Sequence, residues 1–84
     1  MWHIQYARLV PLAWNLHTVG VAVALQLPGK DEPVLVIARV SGLLKVRVAA
    51  YGAGWVFTWG RGLDHCVDTD ALERATQILA GLAA

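Results

Sequence analysis

Charged residues are scarce in this chain. Only 15% of its 84 residues are Asp, Glu, Lys or Arg, and seven basic against six acidic side chains leave a net charge of +1. Because long-range attraction to a polyanion needs a large excess of positive charge, the composition does not favour nucleic acid as a partner. Apolar residues make up 57% of the chain, more than the core of one small domain needs. A second copy or another protein covering an apolar face is therefore expected.

Cysteine is nearly absent. The single Cys66 excludes an intramolecular disulfide, whereas small secreted domains are usually stabilised by several. No run reaches the roughly 18 apolar residues of a membrane span. The stretch MWHIQYARLVPLAW lacks the basic start and small-residue cleavage site of a signal peptide. We therefore expect a cytoplasmic protein without a membrane partner.

Linkers, internal repeats and low-complexity tracts are missing as well, which predicts a single domain over residues 1–84. At its start, apolar residues recur at helical spacing, and Pro11 fits a first turn, where its missing N–H needs no partner. This predicts a helix over about Val10–Val19, ended by Gly20. Residues 2–8 alternate apolar and polar side chains ahead of the proline, so both a short strand and a helical turn remain open there.

After Gly20 the pattern changes to alternating or continuous apolar runs rich in β-branched residues, which favour strands. Four strands are predicted, at Val21–Leu27, Val34–Val40, Leu43–Ala50 and Trp55–Trp59. Their connections are too short for crossover helices, so consecutive strands are expected to pair antiparallel.

The closing stretch DTDALERATQILAGLAA predicts a second helix, with Asp70 and Glu73 as a capping box. Its predicted apolar stripe is Leu72, Ala75, Thr76, Leu79 and Leu82. The predicted fold is therefore α+β: a four-stranded antiparallel meander with an N-terminal and a C-terminal helix packed on one face.

Side-chain alternation assigns residues to the two faces of the predicted sheet. The face under the helices receives Val21, Val23, Leu25, Val34, Val36, Val40, Leu44, Val46 and Val48. The open face receives Ala22, Ala24, Gln26, Leu35, Ile37, Arg39, Lys45 and Arg47. The apolar end of the open face is costly in water, which predicts a homodimer joined through Ala22, Ala24, Leu35 and Ile37. Pairing of edge strands is an alternative that the sequence leaves open.

Aromatic and basic residues are combined in the stretch GWVFTWGRG. Trp55, Phe57 and Trp59 point to one side of the fourth strand. On the covered side they are core residues, which is the favoured interpretation because large apolar side chains are usually buried. On the open side they would form a surface that stacks bases and pairs with phosphates. The candidate binding residues are then Arg39, Lys45, Arg47, Trp55, Trp59 and Arg61.

His65 and Cys66 raise the question of catalysis, because a thiolate next to a base is a nucleophile. Adjacent residues of an extended segment point to opposite faces, however, which separates the two side chains. One cysteine and scattered histidines also do not supply the regularly spaced ligands of a zinc site. No catalytic residue, metal or cofactor is therefore predicted.

The segments YARLVPLAWNLHTVGVAVALQLP, PVLVIARV, KVRV and WVFTWGRG, followed by VDTDALERATQILAG, resemble small uncharacterised actinobacterial proteins. The resemblance covers nearly the whole chain and implies a leading helix, a β-meander and a closing helix, with no known activity. Such proteins look as though they accompany helix-turn-helix regulators, which implies a regulatory protein as a partner. We therefore expect first a non-enzymatic, self-associating interaction module, second a single-stranded nucleic-acid binder, and third an enzyme using Cys66 and His65.

Overall fold

The computed structural model describes residues 2–27, 29–60 and 65–83. In chain order these form helix α1 (His3–Thr18), strands β1 (Val23–Gln26), β2 (Val34–Arg39), β3 (Gly42–Tyr51), β4 (Gly54–Trp59) and β5 (Cys66–Asp68), and helix α2 (Leu72–Ala83). Neighbouring strands pair antiparallel in the order β1-β2-β3-β4-β5. The predicted α+β class, with two helices and an antiparallel meander, is confirmed.

The sheet has five strands within the described ranges, one more than the sequence predicts. The additional strand, β5, places Val67 opposite Phe57 of β4. Hydrogen bonds flank this pairing, since Trp59 N–H donates to the His65 carbonyl at 3.1 Å and Thr69 N–H to the Trp55 carbonyl at 3.0 Å. Three residues are too few to show the two-residue alternation that predicts a strand, which is why the sequence does not indicate β5. The segment becomes a strand because it pairs with the free edge of β4.

Helix α1 begins at His3, so a strand over residues 2–8 is wrong. Pro11 lies in the helix interior rather than in its first turn. Proline cannot donate to the carbonyl of Ala7, but both residues are exposed, where water satisfies that carbonyl. Packing of the helix outweighs the lost hydrogen bond, because three leucines on its other side are completely buried: Leu9, Leu12 and Leu16.

Both helices pack on one face of the sheet and against each other. Helix α1 contacts β1, β2 and β3, and α2 contacts β2 and β5. The core between these layers is apolar, and its completely buried members are Leu9, Leu12, Leu16, Leu35, Ile37, Val46, Phe57, Ala75 and Leu79.

The predicted assignment to sheet faces is correct for β1 and β3 but wrong for β2. Leu35 and Ile37 point toward the helices and are completely buried, whereas Val34 and Val36 point to the open face. The cross-strand partners of Leu35 and Ile37 are the covered residues of β1 and β3. Strand β2 is apolar from its first residue through Ala38, so it has no alternation that could orient it. Val40, also predicted to be covered, lies in the turn after β2 and is fully exposed.

Helix α2 begins two residues after Asp70. The Ala71 carbonyl accepts the first helical hydrogen bond, from Ala75 N–H at 3.0 Å, which makes Ala71 the N-cap. The predicted capping box of Asp70 and Glu73 is therefore one residue out of register. Asp68 serves the preceding turn instead, because its Oδ1 accepts from Asp70 N–H at 2.8 Å. Of the predicted stripe, Ala75, Thr76 and Leu79 are buried, whereas Leu72 is half-buried and Leu82 is exposed.

Candidate interaction surface

Helix α1 is apolar on two sides. Its buried leucines face the core, whereas Tyr6, Val10 and Trp14 follow one another at four-residue spacing along the outer side. These three side chains are 42%, 40% and 65% exposed. Because soluble proteins seldom leave contiguous apolar side chains in water without a use, the stripe is a candidate contact site.

The outer stripe of α1 borders a groove of about 410 Å³, and the edge strand β1 forms its other wall. We call this surface the α1–β1 face; it consists of Tyr6, Val10, Ala13, Trp14, His17, Val23 and Leu25. The rings of Trp14 and His17 lie 6.0 Å apart at an angle of 41°. The β1 side chains Val23 and Leu25 are half-buried, since their inner surfaces pack against the core.

The α1–β1 face has no Lys, Arg, Asp or Glu side chain. Arg8 is the one such residue in α1, and it points instead to the start of α2, where its Nη1 lies 3.8 Å from Asp70 Oδ1. Strand β1 contains none. The side chains that this face presents are therefore apolar or aromatic, with the Tyr6 hydroxyl, the Trp14 indole N–H and the His17 imidazole as its polar groups.

Sequence reasoning missed this face because it began the helix at Val10 and treated the residues before Pro11 separately. A helical register continued through Pro11 places Tyr6, Val10 and Trp14 on one stripe, and this spacing is the signal that identifies the face. Proline is a poor marker of a helix boundary when the helix is anchored by buried residues on both sides of it.

The candidate binding residues Lys45 and Arg47 lie together on the open face of β3. Arg47 Nε is 3.4 Å from Glu32 Oε1, and both side chains are partly exposed. The two basic residues line a cleft of about 490 Å³ together with Trp2, Gln26, Lys30, Asp31, Glu32 and Val34. Its acidic members offset most of the positive charge, so the cleft differs from the basic track that a nucleic-acid backbone requires.

Trp55 and Trp59 lie on the other face, beneath the helices. Trp59 is only 8% exposed, and Trp55 packs half-buried against the core. The core interpretation of these rings is correct. The structure therefore does not bring the two rings together with Lys45 and Arg47, and the combined aromatic and basic sheet face is wrong.

Arg39 and Arg61 complete the predicted binding set. Arg39 lies on the same covered side of β2 as Leu35 and Ile37. Its predicted assignment to the open face is therefore wrong, because the apolar sequence of β2 does not show which way the strand is oriented. It is half-buried, and its Nε has no hydrogen-bond partner in the part of the chain that the structure describes. Arg61 lies outside the described residues.

The four residues predicted to join two sheets do not form one surface. Ala22 and Ala24 are exposed, whereas Leu35 and Ile37 are enclosed by the chain's own helices. A dimer contact centred on Ile37 is therefore wrong. The two alanines offer little apolar area on the open face.

His65 and Cys66 are neighbours in sequence but have different environments. The His65 ring stacks on Trp59 at 6.2 Å and 14°, whereas Cys66 lies in β5 opposite Thr58. Across residues 2–27, 29–60 and 65–83, no three His, Cys, Asp or Glu side chains are close enough to hold a metal ion. In the same ranges, neither helix has both the length and the apolar character that crossing a membrane demands.

Comparison with protein-family models, curated proteins and solved structures finds no match to this chain. The chain is a small α+β protein with an apolar face beside its N-terminal helix.

Proposed function

We propose that this protein is a non-enzymatic interaction module that associates with a second copy of itself through the α1–β1 face. The observation that carries the proposal is the exposed stripe of Tyr6, Val10 and Trp14 beside an apolar groove. Trp and Tyr are typical anchors of protein interfaces, because a large ring is buried at little cost in conformational entropy. Burial of apolar area is the main favourable contribution to such a contact, and the loss of rotational, translational and side-chain freedom offsets part of it.

The lack of charge on this face favours a second copy over an unlike partner. A two-fold contact pairs residue i of one copy with residue j of the other and j with i, so a face with an excess of one sign of charge would repel itself. The α1–β1 face has no Lys, Arg, Asp or Glu side chain, and the whole chain has a net charge of only +1, so two copies can approach without such repulsion. An unlike partner, such as a regulatory protein, would find no charged group on this face to orient it.

Binding of single-stranded nucleic acid has less support. Trp55 and Trp59 lie on the face opposite to Lys45 and Arg47, and Glu32 already pairs with Arg47. An enzymatic function has less support as well, because the ring of His65 contacts Trp59 rather than the thiol of Cys66.

The state of association in solution tests the proposal. We expect light scattering and sedimentation velocity to report a dimer for the wild type and a monomer for Trp14→Glu, because the variant places an unpaired charge at the centre of the contact. Leu43→Glu is the matched control. Leu43 is 63% exposed, nearly the same as Trp14 at 65%, but it lies on the open face of β3. This control is expected to remain a dimer.

Thermal unfolding followed by circular dichroism establishes that both variants fold. A wild type that remains monomeric at tens of micromolar would contradict self-association. Dissociation of the Leu43→Glu variant together with an intact Trp14→Glu dimer would instead locate the contact on the open sheet face.

A further inference from the structure

Strand β1 forms one edge of the sheet, and part of its backbone hydrogen-bonding potential points outward. The N–H of Ala38 donates to the carbonyl of Ala22 at 3.0 Å, in line with the register of β1 and β2. In an antiparallel pair, residues that bond to the neighbouring strand alternate with residues that do not. Ala24 therefore bonds toward β2, whereas the N–H and C=O groups of Val23 and Leu25 point away from the sheet.

Just before β1, an N–H group that points outward from the sheet already has a hydrogen-bond partner. Val21 occupies the same alternation as Val23, and its N–H donates to the Leu16 carbonyl at the end of α1, at 3.0 Å. From Val23 onward no strand of the described chain lies on this side of β1. The strand has the sequence VALQ, without the lysine, proline or bulge that usually protects an edge.

We infer that two copies pair antiparallel through β1 and form one continuous sheet, with five strands from each copy. The inference rests on the proposed self-association and specifies the groups that make it. A two-fold axis passing beside Ala24 lets Val23 of one copy exchange hydrogen bonds with Leu25 of the partner subunit.

The same pairing accounts for the exposed aromatic stripe. Helix α1 contacts β1 on the covered face of the sheet, so joining the two β1 edges also brings the two α1 helices side by side. Trp14 and Val10 are then enclosed between the copies. An extended peptide from an unlike protein would satisfy the β1 backbone but would leave the α1 stripe in water, whereas a second copy covers both.

Amide hydrogen exchange tests this geometry residue by residue. In the dimer we expect the amides of Val23 and Leu25 to be protected, and to lose that protection on dilution or in Trp14→Glu. The amide of Ala24 bonds to β2 in either state, so it serves as the internal control and should remain protected in the monomer.

Two proline variants distinguish loss of the dimer contact at β1 from loss of stability of the monomer. Val23→Pro removes an outward N–H, which an edge strand tolerates, but it also removes a side chain that packs against the core, so Val23→Ala is measured beside it. Val23→Pro is expected to weaken the dimer about tenfold or more relative to Val23→Ala, while both monomers stay folded. Ala24→Pro is the matched control, since it removes a hydrogen bond to β2 and should lower the stability of the monomer itself.

The outcomes distinguish the two proposals. A dimer that depends on Trp14 but leaves Val23 and Leu25 unprotected would overturn the β1 pairing and retain the α1–β1 face as the contact. A wild type that never dimerises would overturn both.

Discussion

The two faces of the sheet are both rich in aliphatic side chains, but they are covered by different means. On the helix side, Ile37 is completely buried beneath α1 and α2. On the open side, Val36 is also buried although α1 and α2 both lie on the opposite face. Val36 lies opposite Lys45 of the neighbouring strand, and the aliphatic stem of a lysine can cover such a residue while its charge stays in water.

This difference concerns how each surface covers its apolar side chains. On the open sheet face Val34 and Val36 are buried within the single chain, whereas Leu43 remains 63% exposed. Tyr6, Val10 and Trp14 on α1 remain in contact with water, and the residues that line the groove beside them include no Lys, Arg, Asp or Glu. A low content of charged residues therefore predicts an uncovered surface without indicating which surface it is.

The largest expected effect is on the helix side of β2. Ile37→Ala removes a side chain enclosed on all sides and should lower the free energy of unfolding by about 2–5 kcal/mol. Urea denaturation at a fixed protein concentration measures the change, since self-association contributes to the apparent stability. Retention of wild-type stability would show that Ile37 is not part of the core.

A smaller effect is expected on the open side of the same strand. Val36→Ala should cost about 1–2 kcal/mol, at about 0.8 kcal/mol per buried CH₂, because it removes two buried methyl groups on the face of the sheet away from α1 and α2. The variant is measured beside Ile37→Ala under the same conditions. A cost equal to that of Ile37→Ala would mean that the two faces are equally well packed, which would break the comparison.

At the edge strand β5, Asp68→Ala should lower stability by about 0.5–1 kcal/mol, because Asp70 N–H loses its side-chain acceptor in the exposed turn before α2. Asp68→Asn keeps a side-chain oxygen in that position and should preserve most of the stability. Thermal unfolding of both variants provides the test. Equal losses in the two would assign the effect to the charge of Asp68 rather than to the hydrogen bond.

The smallest effect is expected for the ion pair between α1 and the turn that precedes α2. Arg8 and Asp70 are separated by 3.8 Å, and their side chains are 44% and 87% exposed. Water screens a pair of this kind, so a double-mutant cycle with Arg8→Ala and Asp70→Ala should give a coupling of about 0.5 kcal/mol or less. A larger coupling would make this contact a significant link between α1 and α2.

For the candidate binding residues, local sequence patterns predicted the sheet face or the burial of single side chains, but not which side chains lie next to one another. Alternation in β3 correctly places Lys45 and Arg47 on the open face, and the size of Trp59 correctly favours the core. Whether the basic and aromatic side chains share a face depends on how β3 and β4 pair, which is a contact between distant parts of the chain. The α1–β1 face likewise requires a helix and an edge strand to be brought together.

For the fold, the sequence by itself determined the elements whose side-chain period is unambiguous: the α2 helix and the faces of β1 and β3. Tertiary structure alone decided the orientation of β2, because a strand apolar at successive positions can present either set of side chains until its neighbours fix the register. It also decided that α1 runs through Pro11, because leucines buried on both sides of the proline compensate for one missing hydrogen bond. Tertiary structure also decided the short strand β5, which forms by pairing with the edge of β4. Its three residues contain too short a pattern to predict a strand by themselves.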